Sequence, residues 1–208
     1  MNGNAQTILW RRLDRPGHEA CRLTALGTGW QLAGIAVFGH EGQACRLDYA
    51  IACDEQWRTL SALVSGWVGE RDIDIDVVRD GAGLWRLNGD LVPAVEGCVD
   101  VDLNFSPSTN TLPIRRFDLE VGHSVHVRAA WLRFPSFQLE PLEQSYTRVG
   151  ANLYRYESAG GRFVASVEVD AVGLVVEYGE IWRRESSPDP ARSGGNLGGS
   201  AADPARSA

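Results

Sequence analysis

Three groups of side chains have the types and spacing to do chemistry. Asp100 and Asp102 stand at i and i+2, as do Asp72, Asp74 and Asp76. On a strand such neighbours share one face, about 7 Å apart. That spacing suits a divalent cation between carboxylate oxygens, or a pair in which burial readies one carboxyl for proton transfer. The plainer reading, adopted here for both ladders, is a solvated strand face that keeps an edge from aggregating. The second group is Thr109–Arg116, read as TNTLPIRR. Asn110 can cap a turn and donate two hydrogen bonds, and Pro113 fixes the backbone. In extended chain Arg115 and Arg116 point to opposite faces, so that one can pair with a core carboxylate while the other meets a ligand. The same residues also make a purely architectural crossover, and both readings stand. The third group is weaker. His123 and His126 are three apart in a strand-like run and face opposite sides, which works against a shared metal. Cys98 after Gly97 reads as a small core residue before it reads as a nucleophile.

The elements that must position these groups are strands. Val99, Val101 and Leu103 alternate with Asp100, Asp102 and Asn104, and Ile73, Ile75 and Val77 alternate with Asp72, Asp74 and Asp76. Cys45–Cys53 and Phe163–Val169 alternate as well. Asp80-Gly81 and Asn88-Gly89 mark turns. Gly34 inside a strand signals a bulge or a close backbone approach. Trp57–Val68 fits a helical stripe, but is assigned as strand from its β-rich surroundings. Pro135 and Pro141 bracket a segment that is not expected to form a central strand. A dozen or so such runs predict an all-β barrel, sandwich or roll with little helix. Residues 1–185 are read as one domain, and the Ser/Gly/Ala/Pro-rich residues 186–208 as a disordered tail.

Composition narrows the function. The chain has 208 residues and a net charge of −7, which disfavours nucleic acid as a partner. All 20 of its basic residues are arginine, so Schiff-base, P-loop and Ser–Lys chemistry are excluded. There is no G-x-S-x-G elbow, and Gly27-Thr28-Gly29 followed by Gly34 lacks dinucleotide spacing. None of the four cysteines forms C-x-x-C. No cofactor or metal is expected, and no run approaches the ~20 apolar residues of a membrane span. A cytoplasmic protein with reduced thiols is the expectation. Seven tryptophans leave aromatic surface to spare for an apolar cavity.

Thr109–Arg116, preceded by GCVDVDL at 97–103, resembles a motif of the bacterial "putative glycolipid-binding" family, long catalogued as a domain of unknown function. Weaker flanking likenesses lie at Trp10-Arg11, Leu47-Asp48-Tyr49, Gly83-Leu84-Trp85, Gln144–Thr147 and Val169-Asp170, and extend over most of 5–185. The resemblance implies a large curved sheet of about fifteen strands, a spiral β-roll akin to half-barrel lipoprotein carriers. It also implies a small amphiphilic, glycolipid-like ligand. Asn110 and one of Arg115 and Arg116 are the expected ligand-binding residues, with the acyl portion in an apolar cavity. The alternatives are an enzyme on a related substrate using Asp100 or Asp102, and an interaction module without a small ligand.

Overall fold

A computed structural model describes residues 5–185, and the tail expected at 186–208 lies outside the described residues. The strands are β1 (Gln6–Arg12), β2 (Gly17–Leu26), β3 (Gly29–His40), β4 (Gln43–Cys53), β5 (Thr59–Val68), β6 (Arg71–Arg79), β7 (Trp85–Leu87), β8 (Asp90–Leu91) and β9 (Asp100–Leu103). They continue as β10 (Ser124–Arg133), β11 (Gln138–Arg148), β12 (Leu153–Ser158), β13 (Phe163–Val169), β14 (Val175–Tyr178) and β15 (Trp182–Arg184). One helix, α1 (Thr111–Phe117), lies between β9 and β10. All fifteen strands form a single sheet in the order β8-β7-β6-β5-β4-β3-β2-β1-β15-β14-β13-β12-β11-β10-β9. The all-β fold is as expected.

Chain length dictates the curl. Laid flat, fourteen strand spacings would separate β8 from β9 by roughly 67 Å. Yet only nine steps of chain join Leu91 to Asp100, a reach of about 31 Å. The sheet must therefore roll. Its β9 edge comes against Thr59, the first residue of β5, which is fully buried. Its N–H donates to the Val99 carbonyl at 3.2 Å, and its Oγ1 accepts from the Val101 N–H at 3.0 Å. Strands β6 to β8 run on past this seam, and the Trp85 indole N–H donates across it to the Cys98 carbonyl at 3.0 Å.

The roll is filled from within. Phe105–Ile114 are ten consecutive buried residues, a pattern no two-sided strand gives. Ser106 in this plug fastens to the wall. Glu19 of β2 is fully buried, and its Oε1 accepts from the Tyr49 hydroxyl at 2.5 Å and from the Ser106 hydroxyl at 2.6 Å. Ser106 and Ser108 hydroxyls are 2.7 Å apart. Gly34 explains how Tyr49 gets there. A Cβ at Gly34 would stand 2.6 Å from the Tyr49 ring and hydroxyl, so the close approach expected in β3 is the tyrosine passing over bare backbone.

Two expectations about elements are corrected. Thr111–Phe117 is helical, not extended, so Arg115 and Arg116 stand on neighbouring faces of one turn. Pro113 is tolerated there because it takes the third position, among the first four N–H groups that lack an intrahelical partner. Pro141 lies inside β11, which has neighbours on both sides. At Pro141, however, only β10 runs alongside, through Ala130, because the β12 pairing begins at Gln144. The proline rule holds locally.

Burial pushes the Glu19 carboxyl from its ordinary 4.5 up to about 8, against the hydrogen bonds from Ser106 and Tyr49 and the positive charge of Arg12. Between these two values the folded chain holds a proton that the unfolded chain has lost. Stability from this group is thus complete below pH 4.5 and falls as pH rises to about 8. Urea midpoints measured from pH 6 to 8 should fall less steeply in Glu19→Gln, which keeps the acceptor oxygen and cannot titrate. An unchanged slope would place the effect on another group.

Candidate functional site

The site begins with an ion pair. The fork of Arg116 grips Asp100 of β9, with Nη2 donating to Oδ2 at 2.6 Å and Nη1 to Oδ1. The two side chains are 13% and 3% exposed. The solvated face expected for Asp100 and Asp102 is therefore corrected. The plug packs on their side of β9 and covers it. Burial outweighs Arg116 and leaves the Asp100 carboxyl above its usual range. Asp102, bonded by the Gln144 amide at 2.6 Å, is pushed up to about 6, by burial first and then by the charge of Asp100. Asp72, Asp74 and Asp76 are exposed. Among the described residues no three metal-ligating side chains gather, and His123 and His126 are exposed.

With Arg116 turned to Asp100, its neighbour Arg115 stands exposed on the next face of α1. Its guanidinium carbon lies 5.2 Å from the Trp57 ring centroid. Trp57 in turn stacks on Trp30 of β3, with centroids 4.5 Å apart and planes 16° from parallel. An arginine and two indoles thus form one pile.

A single loop design occurs three times, and two of its copies hold the pile. In the first copy, Asp54 Oδ1 accepts from the Gln56 and Arg58 N–H groups at 2.9 and 2.8 Å, and the Trp57 N–H donates to the Asp54 carbonyl at 3.0 Å. Asp80 makes the same bonds with Ala82, Leu84 and Gly83, and Asp170 makes them with Val172, Leu174 and Gly173. The fourth residue is left-handed each time, at φ 82° for Gly83, 83° for Gly173 and 63° for Trp57. Glycine adopts this conformation freely, whereas an L side chain there is disfavoured by roughly 1–2 kcal/mol. The loop takes glycine twice and carries strain once, where a left-handed backbone aims an indole at Arg115. The third copy positions Arg115 itself. A Cβ on Gly173 would lie 2.7 Å from Arg115 Cδ and 3.1 Å from Cγ, so the arginine stem rests on the bare backbone.

Trp30, Trp57 and Arg115 line a hollow of about 270 Å³, completed by Leu23, Ala25, Val172 and Gln6. A wider trough of about 1270 Å³ lies open on β1–β4, among outward-facing side chains such as Ala20, Arg22, Ala33 and Asp48. Its groups spread along the strands and do not converge, so the smaller hollow is the better candidate.

Of the three site residues expected from sequence, only Arg115 lines the hollow. Asn110 is buried at 7% exposure, with Oδ1 accepting from the Tyr146 hydroxyl at 2.9 Å and Nδ2 donating to the Pro107 carbonyl at 3.1 Å. Arg116 is held by Asp100. Cys98 is buried and its thiol pushed up to about 11 by burial, which suits a core residue. Sequence reasoning missed the pairing of Trp30 with Trp57 and the part played by Gly173. The readable signal was an aspartate followed three residues later by glycine at 80 and 170, and by tryptophan at 54.

Fold and site together define a rolled-sheet protein with an arginine-capped apolar hollow at the flank of a filled interior. The chain belongs to the family described as "Putative glycolipid-binding", whose model matches residues 7–184. It is similar to a DUF1089-family protein of known crystal structure from Pseudomonas aeruginosa, at 32% identity and a TM-score of 0.72. That similarity covers 80% of this chain and 91% of the other. No curated protein matches.

Two stability measurements check this geometry. Trp57→Gly and Trp57→Ala both lose the stack, but only glycine relieves the backbone, so Trp57→Gly should be the more stable of the two by about 1 kcal/mol in urea. The ordinary preference for alanine would contradict the strain. Arg116→Ala strands a buried carboxylate and should destabilise by about 3–5 kcal/mol, whereas Arg115→Ala should stay within about 1 kcal/mol of the parent. Equal losses would mean that both arginines are architectural.

Proposed function

We propose that this protein binds a lipid-like or glycolipid-like molecule and does not transform it. The observation that carries the reading is Trp57, held in a strained conformation that fixes its indole between Trp30 and the Arg115 guanidinium beside an apolar hollow. Strain of this kind persists where surroundings enforce it, and it gathers at binding sites. Leu23, Ala25 and Val172 offer apolar surface for a chain, gaining ~0.8 kcal/mol per buried methylene. The indoles and Arg115 offer a platform for the head. The family's description supports the same class of ligand.

A binding role without chemistry is supported by the carboxylates, since Asp100 is committed to Arg116 and Asp102 to Gln144, and among the described residues no carboxylate lines the hollow. The four buried free thiols support a cytoplasmic location, since they suit a reducing compartment. No described helix is long and apolar enough to cross a membrane.

Protein purified from its own host should carry an amphiphile that native mass spectrometry resolves and solvent extraction releases. Arg115→Ala should reduce the carried fraction while leaving the fold intact. Repeated recovery of empty protein, with no uptake of fluorescent lipid, would contradict the reading.

A further inference from the structure

We infer that the hollow selects a ligand with one chain and an anionic head, a carboxylate, sulfate or phosphate, with Arg115 as the countercharge. The inference rests on the binding function proposed above and specifies its ligand.

Size sets the first limit. At about 270 Å³ the hollow displaces on the order of nine waters' volume of liquid. That is below the roughly 300–1,000 Å³ of sites that enclose a drug-sized ligand. One short alkyl segment or one ring fills it. A second chain finds no room inside the roll, where residues 105–114 are packed.

Charge sets the second. Arg115 is exposed, and among the described residues no carboxylate comes within ion-pair distance of it, while Arg116 beside it is fully engaged. Its stem is seated on Gly173 and its guanidinium on Trp57, so it is a fixed cation and not a loose surface side chain. It lines a pocket whose other lining residues are apolar apart from Gln6. Stacking on an indole leaves the in-plane N–H groups free, and those are the groups that take an oxyanion two at a time. Bonds to a charged acceptor are about twice as strong as those to a neutral hydroxyl. The cation is also local, because the chain as a whole carries −7. Long-range attraction of anions is therefore not the source of selectivity, and a seated arginine is.

The test compares octyl phosphate, octyl glucoside, dioctyl phosphate and inorganic phosphate below micelle-forming concentrations, by calorimetry and tryptophan fluorescence. Octyl phosphate should bind about tenfold more tightly than octyl glucoside, and added salt should weaken the phosphate ester alone. Arg115→Gln should abolish the preference, octyl phosphate losing about tenfold and octyl glucoside losing less. Arg115→Lys, which keeps the charge without the fork, should fall between. Equal affinity for the two heads, or equal loss of both in Arg115→Gln, would overturn the anionic head while leaving amphiphile binding in place. Tighter binding of dioctyl phosphate would overturn the single chain. Inorganic phosphate binding as tightly as the octyl ester would assign the site to a free anion and overturn the amphiphile. Failure of every octyl compound to bind would remove the binding function and this inference together.

Discussion

The buried pair between Asp100 and Arg116 is the constraint on which the site depends. It ties α1 to the strand that closes the roll, and does so where both partners are nearly removed from water. Such a pair adds little net stability by itself, but losing either partner leaves a buried charge uncompensated. Its larger effect is directional. Successive residues on a helix differ by about 100° in direction, so anchoring Arg116 determines where Arg115 points. Had the segment been a strand, Arg115 would face directly away from the pair. As a helix, it brings the second guanidinium over Trp57 at the rim.

The rim is built from repeated local chemistry. Three aspartates accept from backbone N–H groups two and four residues ahead and so close the same tight loop. A loop secured by its own side chain tolerates a poor residue at its left-handed position, because several hydrogen bonds oppose the strain of one residue. Trp57 uses that tolerance. The glycine in the third copy serves a different end, since its missing Cβ leaves the space that the Arg115 stem fills. Both are backbone devices for placing side chains, and they act on the two faces of one contact.

Much of the fold was legible in the alternation of residues, because a strand with one buried face writes its period into the sequence. Cys45–Cys53 and Ile73–Val77 read directly, and the strand reading of Trp57–Val68 holds from Thr59 onward. The helix was not legible. Seven residues span barely two turns, too few to show a period, and Pro113 reads as a breaker unless its place in the first turn is known. The burial of Asp100 and Asp102 was hidden for a related reason. Asp–Val alternation looks the same whether the aspartate face meets water or a plug arriving from later in the chain. The motif at 109–116 was recognised as special, yet its residues divide: Asn110 and Arg116 satisfy the interior and Arg115 reaches the hollow. Trp30 and Trp57 are 27 positions apart in sequence, and only the pairing of β3 with β4 brings them together.

The account stands or falls on whether ligand enters the hollow that the stacked indoles and Arg115 line. The seven indole N–H resonances of labelled protein, followed while an octyl amphiphile is added, test this directly. The account predicts that the Trp30 and Trp57 signals shift and saturate together. Those of Trp10 and Trp85, whose N–H groups bond the Val175 and Cys98 carbonyls inside the fold, should stay in place. Shifts confined to Trp67 or Trp131, or spread evenly over all seven, would place the ligand elsewhere and contradict it.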